Sequence, residues 1–406
     1  MTHTPSNRKK LRKKVFPFLA RLALCFLVVE LACFAGYMAC CRFFPSVVAE
    51  AGVDSFFARL KSDDLGSIAA HYDPLLGWDL QPGLQREETN SAGSNYTVRT
   101  NADRSRVDRL HTGKPCIVVY GDSFAQGVEV NGDETWASLL EAELQQDVRN
   151  FGVHGYSPLQ AVLKYQRHIE AGLAPALAIL TVYEENMDRL VNANRFFIGG
   201  MMHPLSFSPC LEPARGTVRF HGNVLHTDFG DSFDRRDLKR AVGRSADIDF
   251  WAGFKLRAGF PYSFGLARCV VHHVRYGRAA RGFNLWQTPE GAMAMDDVLD
   301  RYLETSQRRG ITPVVLFIPD VQRWKDGRRQ PQYTNYARGL KTRKPSLTVV
   351  DIAEAEFEPA RFNVSRFKGH ASVYGNRVIA SHLTPRIKAA LALDPEAGRG
   401  QDESKR

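Results

Sequence analysis

Residues 117–127 read IVVYGDSFAQG: an apolar run, then glycine, aspartate and serine, and finally a second glycine. Short, continuous apolar runs are typical of strands buried in parallel sheets. In open parallel sheets, ligand sites lie at the carboxyl ends of the strands, where loops lead into helices. Ser123 occupies that position, its backbone N–H lies at a helix start that favours anions, and Gly127 permits a tight loop. The stretch therefore predicts Ser123 as a nucleophile.

The tetrapeptide GDSF occurs a second time, at residues 230–233. No comparably strong strand precedes this copy, no glycine follows four residues after its serine, and charged residues come directly after it. We interpret it as a chance match in which Ser232 is an N-cap for a helix. Of the two serines, Ser123 is the one expected to do chemistry.

Beyond Ser123, short apolar runs alternate with segments of helical periodicity. The predicted strands are 116–120, 148–151, 177–183, 312–319 and 347–351, and the clearest predicted helices are 133–146, 157–172 and 295–310. Buried strands that alternate with helices indicate a parallel sheet covered on both faces. We therefore predict a three-layer α/β/α fold with a five-stranded, parallel, flavodoxin-like sheet.

About a hundred residues, 192–294, separate the third predicted strand from the fourth. We expect this insertion to be largely helical, with 248–277 forming two helical pieces broken near Pro261. Such an insertion could close over the carboxyl edge of the sheet as a lid, or it could only add packing. The pattern leaves both interpretations open.

The N-terminal region contains twenty residues, Leu22 to Cys41, with Glu30 as their single charge. This length matches the hydrocarbon thickness of a bilayer at helical rise. Six basic residues within 8–14 precede the run, so the positive-inside rule places the N-terminus in the cytoplasm and the rest in the periplasm, behind a single inner-membrane span. A cleaved signal peptide, cut within 47–51, is the alternative.

The chain thus divides into segments of different predicted character. They are a cytoplasmic basic segment 1–21, a transmembrane helix 22–41, a loop-rich segment 42–110, an α/β domain 111–390 that carries the insertion, and a disordered tail 391–406. The net charge is +10, and because the N-terminal cluster supplies six positives, nucleic acid binding is not predicted. A second basic run, 322–344, is predicted to be a solvated surface, with an acidic glycan or lipid headgroups as the alternative partner.

The seven cysteines show no metal-ligand spacing and no disulfide framework, and four of them lie in the apolar run. A bridge between Cys210 and Cys269 stays open for an oxidising compartment. No metal and no cofactor are predicted.

Four blocks of the chain together resemble the SGNH/GDSL hydrolase superfamily, in its membrane-anchored bacterial form. The residues that carry the resemblance are Gly121, Asp122, Ser123 and Gly127 in the first block, Asn150, Gly152 and Gly155 of NFGVHGYSP in the second, Asn186 of TVYEENMDRL in the third, and His370 and Gly375 of FKGHASVYGNRVIASHL in the fourth. Each block alone is a weak signal, but their order, each at a strand end or before the last helix, is specific. The resemblance covers roughly 70–385 apart from the insertion.

The resemblance implies a role for each matching residue. Ser123 would be the nucleophile and His370 its base. An oxyanion hole would be formed by the N–H of Ser123, the N–H of Gly155 and the side-chain amide of Asn186. Three further residues would support the site: Asp122, Gly127 and Asn150.

The chain departs from the family's pattern beside the histidine. The family carries an aspartate two or three residues before it, where this chain has Lys368 and Phe367. No carboxylate lies between Glu358 and His370. A backbone carbonyl could orient the ring in a Ser–His dyad, a remote carboxylate such as Asp320 could approach it, or activity could be impaired.

These features predict a membrane-anchored, periplasmic esterase that hydrolyses the carboxylic ester of an acylated small molecule, glycan or lipid. One alternative is an O-acetyltransferase that passes the acyl group to a sugar hydroxyl of an exported polysaccharide. Another is a non-catalytic SGNH-fold assembly protein. Expected partners are the membrane, through one helix, and proteins of polysaccharide export.

Overall fold

The computed structural model describes residues 6–44, 47–48, 71–107, 115–198, 207–214, 216–225, 235–257, 259–281, 284–324, 330–365 and 368–392. The second GDSF, with Ser232, and the tail beyond Ala392 lie outside them. The described residues form two compact units. One contains Met1–Leu60 and Phe250–Arg278, and the other contains Lys61–Asp249 and Ala279–Arg406.

The described helices and strands are numbered in chain order. The helices are α1 (Ser6–Phe43), α2 (Ser123–Gln126), α3 (Trp136–Leu144), α4 (Pro158–Glu170), α5 (Asn186–Leu190), α6 (Arg235–Ile248), α7 (Tyr262–Arg281), α8 (Pro289–Arg308), α9 (Thr334–Arg343), α10 (Pro359–Phe362) and α11 (Val373–Ala392). The strands are β1 (Tyr72–Asp73), β2 (Gly77–Trp78), β3 (Gln85–Thr89), β4 (Asn95–Arg99), β5 (Ile117–Tyr120), β6 (Val148–Asn150), β7 (Leu177–Tyr183), β8 (Cys210–Ala214), β9 (Thr217–His221), β10 (Thr312–Ile318), β11 (Thr348–Asp351), β12 (Asn363–Ser365) and β13 (Lys368–Ala371).

The larger unit is built on a five-stranded sheet in the order β11-β10-β7-β5-β6, and every neighbouring pair is parallel. Numbered along the chain, this order is 2-1-3-4-5, the flavodoxin-like arrangement. The predicted sheet is therefore confirmed, and its strands agree with the prediction to within one or two residues. The central strand β7 is buried along its whole length, as a strand covered on both faces must be.

Helices cover the two faces of this sheet. On one face, Trp136 and Leu140 of α3 and Leu383 of α11 join the strand residues Val119 and Val314 in one core cluster. On the other face, α4 and α8 meet through their tyrosines. The rings of Tyr165 and Tyr302 lie 5.3 Å apart, and the hydroxyl of Tyr302 donates to the carbonyl of Ala178 at 2.6 Å. The result is the predicted three-layer α/β/α arrangement.

The N-terminal helix is longer than the predicted span. It runs from Ser6 to Phe43, so the basic residues 8–14 continue the helix instead of forming a separate segment. Lysine, arginine and leucine are good helix formers, which explains the extension. Within α1, Val15–Phe43 is long and apolar enough to cross a membrane.

The described part of the insertion contains a hairpin as well as the predicted helices. It contains the antiparallel hairpin β8–β9 and the helix α6, and the segment before Pro261 forms only a short 3₁₀ turn, Trp251–Phe254. Gly253 and Gly259 interrupt this segment, and glycine is costly inside a helix. The second predicted piece is a full helix, α7.

A buried cluster of charges ties the chain before β5 to α4. The ammonium of Lys164 lies 2.6 Å from Asp79, and both side chains are fully buried. Arg167 contacts Asp79 at 3.2 Å and Asp73 at 2.6 Å. Burial lowers the pKa of Lys164, and the charge of Asp79 opposes that effect. The cluster fixes β2, and with it Trp78, beside the rest of the larger unit.

Replacing Asp79 by asparagine should destabilise the protein strongly, because the charge of Lys164 would be left buried without its partner. We expect a loss of roughly 3–5 kcal/mol in the free energy of unfolding. The measurement is chemical denaturation with a probe of the α/β unit. Glu358→Gln breaks the exposed pair with Arg361 and should cost less than about 1 kcal/mol. Similar losses in the free energy of unfolding in both variants would contradict the stabilising role of the buried pair Asp79–Lys164.

The second basic run behaves as a solvated surface where it is described. Lys341 lies 3.5 Å from Glu354, Arg343 lies 3.3 Å from Asp296, and Lys344 pairs with Asp300. These cations are matched by carboxylates of the same protein, as the simpler of the two predictions requires. All seven cysteines, including Cys210 and Cys269, are free thiols.

Candidate active site

Ser123 lies where β5 ends and α2 begins. Asp122 is the N-cap of this helix, and its carboxylate accepts the backbone N–H of Phe124 at 2.9 Å. The side chain of Asp122 is almost fully buried, and Ser123 is 2% exposed. Burial raises the pKa of Asp122, while the nearby charge of Arg189 opposes that rise. The sharp strand-to-helix turn thus holds the serine at the carboxyl edge of the sheet.

Gly127 ends this helix in a conformation that favours glycine. Its φ is +75°, and its N–H donates to the carbonyl of Ser123 at 3.0 Å. A Cβ at this position would lie 2.5 Å from Cγ2 of Thr135. Any larger residue would therefore displace the turn that carries the serine.

Asn150, at the end of β6, joins the first block to the second. Its side-chain amide donates to the carbonyl of Ala125 at 2.8 Å, and its side-chain oxygen accepts the N–H of Gly152 at 3.0 Å. The residue is fully buried. Asn150 therefore acts as a clamp between the two loops, and the structure gives it a supporting position.

Asn186 lies at the start of α5, beyond β7, but its amide does not point freely into a pocket. Its Nδ2 donates to Oδ2 of Asp122 at 3.0 Å and to the carbonyl of Tyr156 at 3.1 Å. Its Oδ1 accepts the N–H of Tyr183 at 2.7 Å. Both amide hydrogens are engaged, so in this structure Asn186 holds the loops together and does not offer the predicted oxyanion donor.

Beside Gly155 lies an arginine that the four blocks do not contain. A Cβ at Gly155 would come within 3.5 Å of a terminal nitrogen of Arg195 and within 3.4 Å of the ring of Trp78. Arg195 is 6% exposed, and that buried terminal nitrogen, Nη2, has no hydrogen-bond partner among the described residues. Burial and the charge of Arg189 lower the pKa of Arg195 well below its ordinary value. A buried donor aimed at the second block is thus available.

His370 lies on β13 and reaches the turn that carries Ser123. Its ring packs against Phe124, the residue after the serine, with ring centroids 5.3 Å apart. The ring of His154, in the second block, lies 5.8 Å away. The structure therefore brings the predicted base to the turn that carries the predicted nucleophile, across almost 250 residues of sequence.

The carboxylate beside His370 is Glu129, six residues after Ser123. Its Oε2 lies 3.5 Å from Nδ1 of the ring and accepts the backbone N–H of His370 at 2.7 Å. Its Oε1 accepts the N–H of Ser91 at 3.0 Å. Partial burial opposes ionisation of Glu129, but the hydrogen bonds and charge of His370 lower its pKa to about 2. Of the two ring nitrogens, Nδ1 is thus the one that lies near this carboxylate.

Gly369 makes room for this contact. Its φ is +93°, and a Cβ there would lie 2.4 Å from Oε2 of Glu129. A side chain at position 369 would thus strain the backbone and push the carboxylate away from His370.

The sheet order, together with the strand ends at which the first three blocks lie, gives this chain the predicted three-layer α/β/α fold with a flavodoxin-like sheet.

Solved structures of similar fold are lipolytic proteins of the G-D-S-L family from Desulfitobacterium hafniense DCB-2 and Veillonella parvula DSM 2008. The first is 11% identical with a TM-score of 0.34, and the match covers 66% of this chain and 98% of that one. The second is 10% identical with the same TM-score, and covers 66% and 96%. No protein-family model and no curated protein matches the chain. At this distance the arguments on function rest on the residues of the site.

Sequence reasoning did not single out two residues of this candidate site, Glu129 and Arg195, and the remote carboxylate that it suggested pairs with another residue. Asp320 pairs with Arg323 at 2.9 Å and caps the turn after β10 instead of orienting His370. Glu129 carries no signal in the sequence, because only the folded chain brings it to β13. Arg195 follows the third block by nine residues and has no motif of its own. A search for carboxylates near Ser123, and not only near His370, would have included Glu129.

Proposed function

We propose that this chain is a membrane-anchored serine esterase of SGNH/GDSL type that acts on the periplasmic side. The observation that carries the proposal is the set Ser123, His370 and Glu129: a serine at a strand end, a histidine packed against the residue after it, and a carboxylate 3.5 Å from Nδ1 of that histidine. Such an arrangement is what acyl transfer through a serine requires. The carboxylate also weighs against a non-catalytic role, since it supplies the part that the sequence lacks.

The reaction follows from these positions. Nε2 of His370 takes the proton of Ser123 as Oγ attacks the carbonyl carbon of the ester. The tetrahedral intermediate collapses when the C–O bond to the alcohol breaks, and the imidazolium returns its proton to the leaving oxygen. Water, deprotonated by the same ring, then hydrolyses the acyl-serine and releases the carboxylic acid. Glu129 stabilises the imidazolium in both halves of the reaction.

The negative oxygen of the tetrahedral intermediate needs donors that are already in place. The N–H groups of Ser123 and Gly155 are the two backbone donors of this proposal. Asn186 is held by Asp122 and Tyr156, so we assign the third donor to the guanidinium of Arg195, whose buried nitrogen lies beside Gly155. A cation in this position would also match an anionic group on the substrate.

Replacement of Arg195 by methionine separates these two roles of the guanidinium. As an oxyanion donor, Arg195 acts on every ester, and its loss should lower kcat by on the order of 10²–10³ with little change in KM. As a site for an anionic substrate group, it would leave neutral short-chain esters unaffected. The measurement is steady-state kinetics with one neutral and one carboxylate-bearing ester. Arg195→Lys should recover part of the activity, and unchanged kcat on the neutral ester would contradict the assignment.

The proposed function is tested by covalent labelling with a fluorophosphonate, which reacts with activated serines. The full chain is labelled in detergent, and the modified residue is located by mass spectrometry. We expect the label on Ser123 and expect Ser232→Ala, in the second GDSF, to label like the wild type. A folded protein without label on Ser123 would contradict the proposed esterase activity.

A separate experiment identifies the acyl acceptor and uses unlabelled protein from a preparation that reacts with the fluorophosphonate. Short-chain acetyl esters are supplied with and without an added oligosaccharide. We expect acetate as the main product in both cases, because the described basic run pairs with the protein's own carboxylates. Acetyl transfer in excess of hydrolysis would favour the O-acetyltransferase that modifies an exported polysaccharide.

A further inference from the structure

Glu30, the single charge in the predicted span, has a partner in the insertion. The carboxylate is 3% exposed and accepts the backbone N–H of Tyr262 at 2.6 Å, the N–H of Ser263 at 3.2 Å and the hydroxyl of Ser263. It thereby satisfies the first N–H groups of α7, which have no partner within the helix. A carboxylate inside a membrane is costly unless it is paired in this way.

This contact lies close to the middle of the span. From Glu30 to Arg42, at the end of the apolar run, is about 18 Å at helical rise. Tyr262 packs against Phe34, with ring centroids 5.0 Å apart, and Phe260 packs against Phe26 at 5.9 Å. The first turn of α7 therefore stands beside the central part of α1, and not beside its end.

The segment before α7 starts near the C-terminal end of α1, reaches the depth of Glu30, and then returns toward the same end. The N–H of Leu256 donates to the carbonyl of Val47, just beyond α1. Tyr262, six residues after Leu256, lies beside Glu30. Helix α7 then runs back toward Phe254, because the ring of His272 packs against the ring of Phe254 with centroids 4.3 Å apart. Residues 254–276 thus form a hairpin that dips along α1 and comes back to the same end.

The outer side of this hairpin is apolar and uncovered within the described residues. The exposed large side chains are Phe260, Phe264, Leu266, Val270, Val271 and Val274. Phe264, Val271 and Val274 share one side of α7 by their spacing, and Val274 is 82% exposed. A contiguous surface of this kind marks an interaction site.

We propose that residues 254–276 re-enter the bilayer beside α1 and that lipid acyl chains cover this apolar side. The proposal rests on α1 crossing the membrane. The uncovered side continues the exposed apolar surface of α1 at the depth of Glu30, so the hydrocarbon that surrounds α1 would also meet α7. Because only half the thickness is traversed, a short helix suffices where a second span would need about 20 residues.

The charges of α7 agree with this orientation. The helix has no charged residue before Arg268, and that side chain is half-buried and has a partner within the protein. The next arginine, Arg275, is exposed. From Tyr262 to Arg275 is about 20 Å at helical rise, so this arginine would emerge among the lipid phosphates.

The test measures depth at two positions of α7. Single cysteines are placed at Phe264 and Val274 in a cysteine-free full-length chain, labelled with the fluorophore NBD and reconstituted into phosphatidylcholine vesicles. Lipids with a doxyl quencher at carbon 12 or carbon 5 of the acyl chain report deep and shallow positions. The two sites differ in depth by up to about 15 Å. Phe220→Cys, an exposed phenylalanine of the α/β unit, and Leu27→Cys, on the outer side of α1, are the controls.

We expect the carbon-12 quencher to act more strongly at position 264, the carbon-5 quencher at position 274, and neither at position 220. Shallow quenching at both sites of α7 would overturn re-entry, and absence of quenching at both, with Leu27→Cys quenched, would overturn contact with lipid. Absence of quenching at Leu27→Cys as well would show that α1 does not cross the bilayer, and the proposal would then be wrong.

The unmodified protein gives a second measurement that does not depend on cysteine variants. A phospholipid with a diazirine at the end of its acyl chain is photolysed in the same vesicles, and the adducts are located by mass spectrometry. We expect adducts on 264–274 as well as on α1. Adducts confined to α1 would contradict the proposal, and neither experiment depends on catalytic activity.

Discussion

Ser123→Ala should lower the rate of ester hydrolysis by on the order of 10⁴–10⁶ while leaving the protein folded. The hydroxyl is the proposed nucleophile, and an alanine at this first position of α2 disturbs neither Asp122 nor Gly127, which hold the turn through their own groups. The measurement is kcat on a short-chain ester. A residual rate above water is expected from the remaining oxyanion donors.

The matched control for this variant is Ser232→Ala, which changes the serine of the other GDSF. It should keep wild-type kcat and KM. If Ser123→Ala kept more than about a tenth of the activity with a wild-type thermal transition, the proposed mechanism would be wrong. Loss of activity in both variants would instead make the second GDSF part of the site.

Glu129→Gln should have the next largest effect. The carboxylate lies 3.5 Å from Nδ1 of His370 and would stabilise the imidazolium of the proposed mechanism, whereas a carboxamide can turn its NH₂ toward the ring and favour the wrong tautomer. We expect kcat to fall by on the order of 10²–10⁴ with KM little changed.

The sign of the stability effect follows from the lowered pKa of Glu129. Its pKa falls from an ordinary value of 4.5 to about 2 on folding, so ionised Glu129 contributes stability above pH 4.5. That contribution is lost as the pH falls from 4.5 toward 2. Acid unfolding of Glu129→Gln, followed by circular dichroism, should therefore depend less steeply on pH in this range.

Asp320→Asn is the control for Glu129, because Asp320 is the carboxylate that the sequence suggested. Its partner is Arg323, so kcat should change by less than about threefold once the protein is folded. A larger effect at Asp320 than at Glu129 would reverse the assignment of the orienting acid.

The parts of the fold that follow from periodicity were predictable. Strands such as 177–183 are continuous apolar runs, and their alternation with helices indicates a parallel sheet covered on both faces. The insertion was harder, since strands β8 and β9 are short and their residues alternate weakly. The position of Glu30 against α7 could not be predicted, because no local pattern pairs residues 232 positions apart.

The site divides in the same way. Ser123 and Asn150 lie at strand ends, and His370 lies before the last helix. The predicted strands and helices therefore indicated where each of these residues would lie in the fold. The place of Glu129 could not be predicted in this way. Its contact with His370 depends on its own left-handed backbone conformation and on Gly369 in another loop. The hydrogen bonds of Asn186 were unpredictable for a related reason: its amide donates to Asp122 and to the carbonyl of Tyr156, which no spacing reveals.

The loop from Ser123 to Glu129 has a consequence for how this chemistry can be inherited. The proposed nucleophile and its proposed acid lie on one seven-residue stretch, so the C-terminal block needs to contribute only a histidine. A glutamate six residues after the serine, together with a glycine before the histidine, is therefore the sequence pattern that this proposed arrangement predicts.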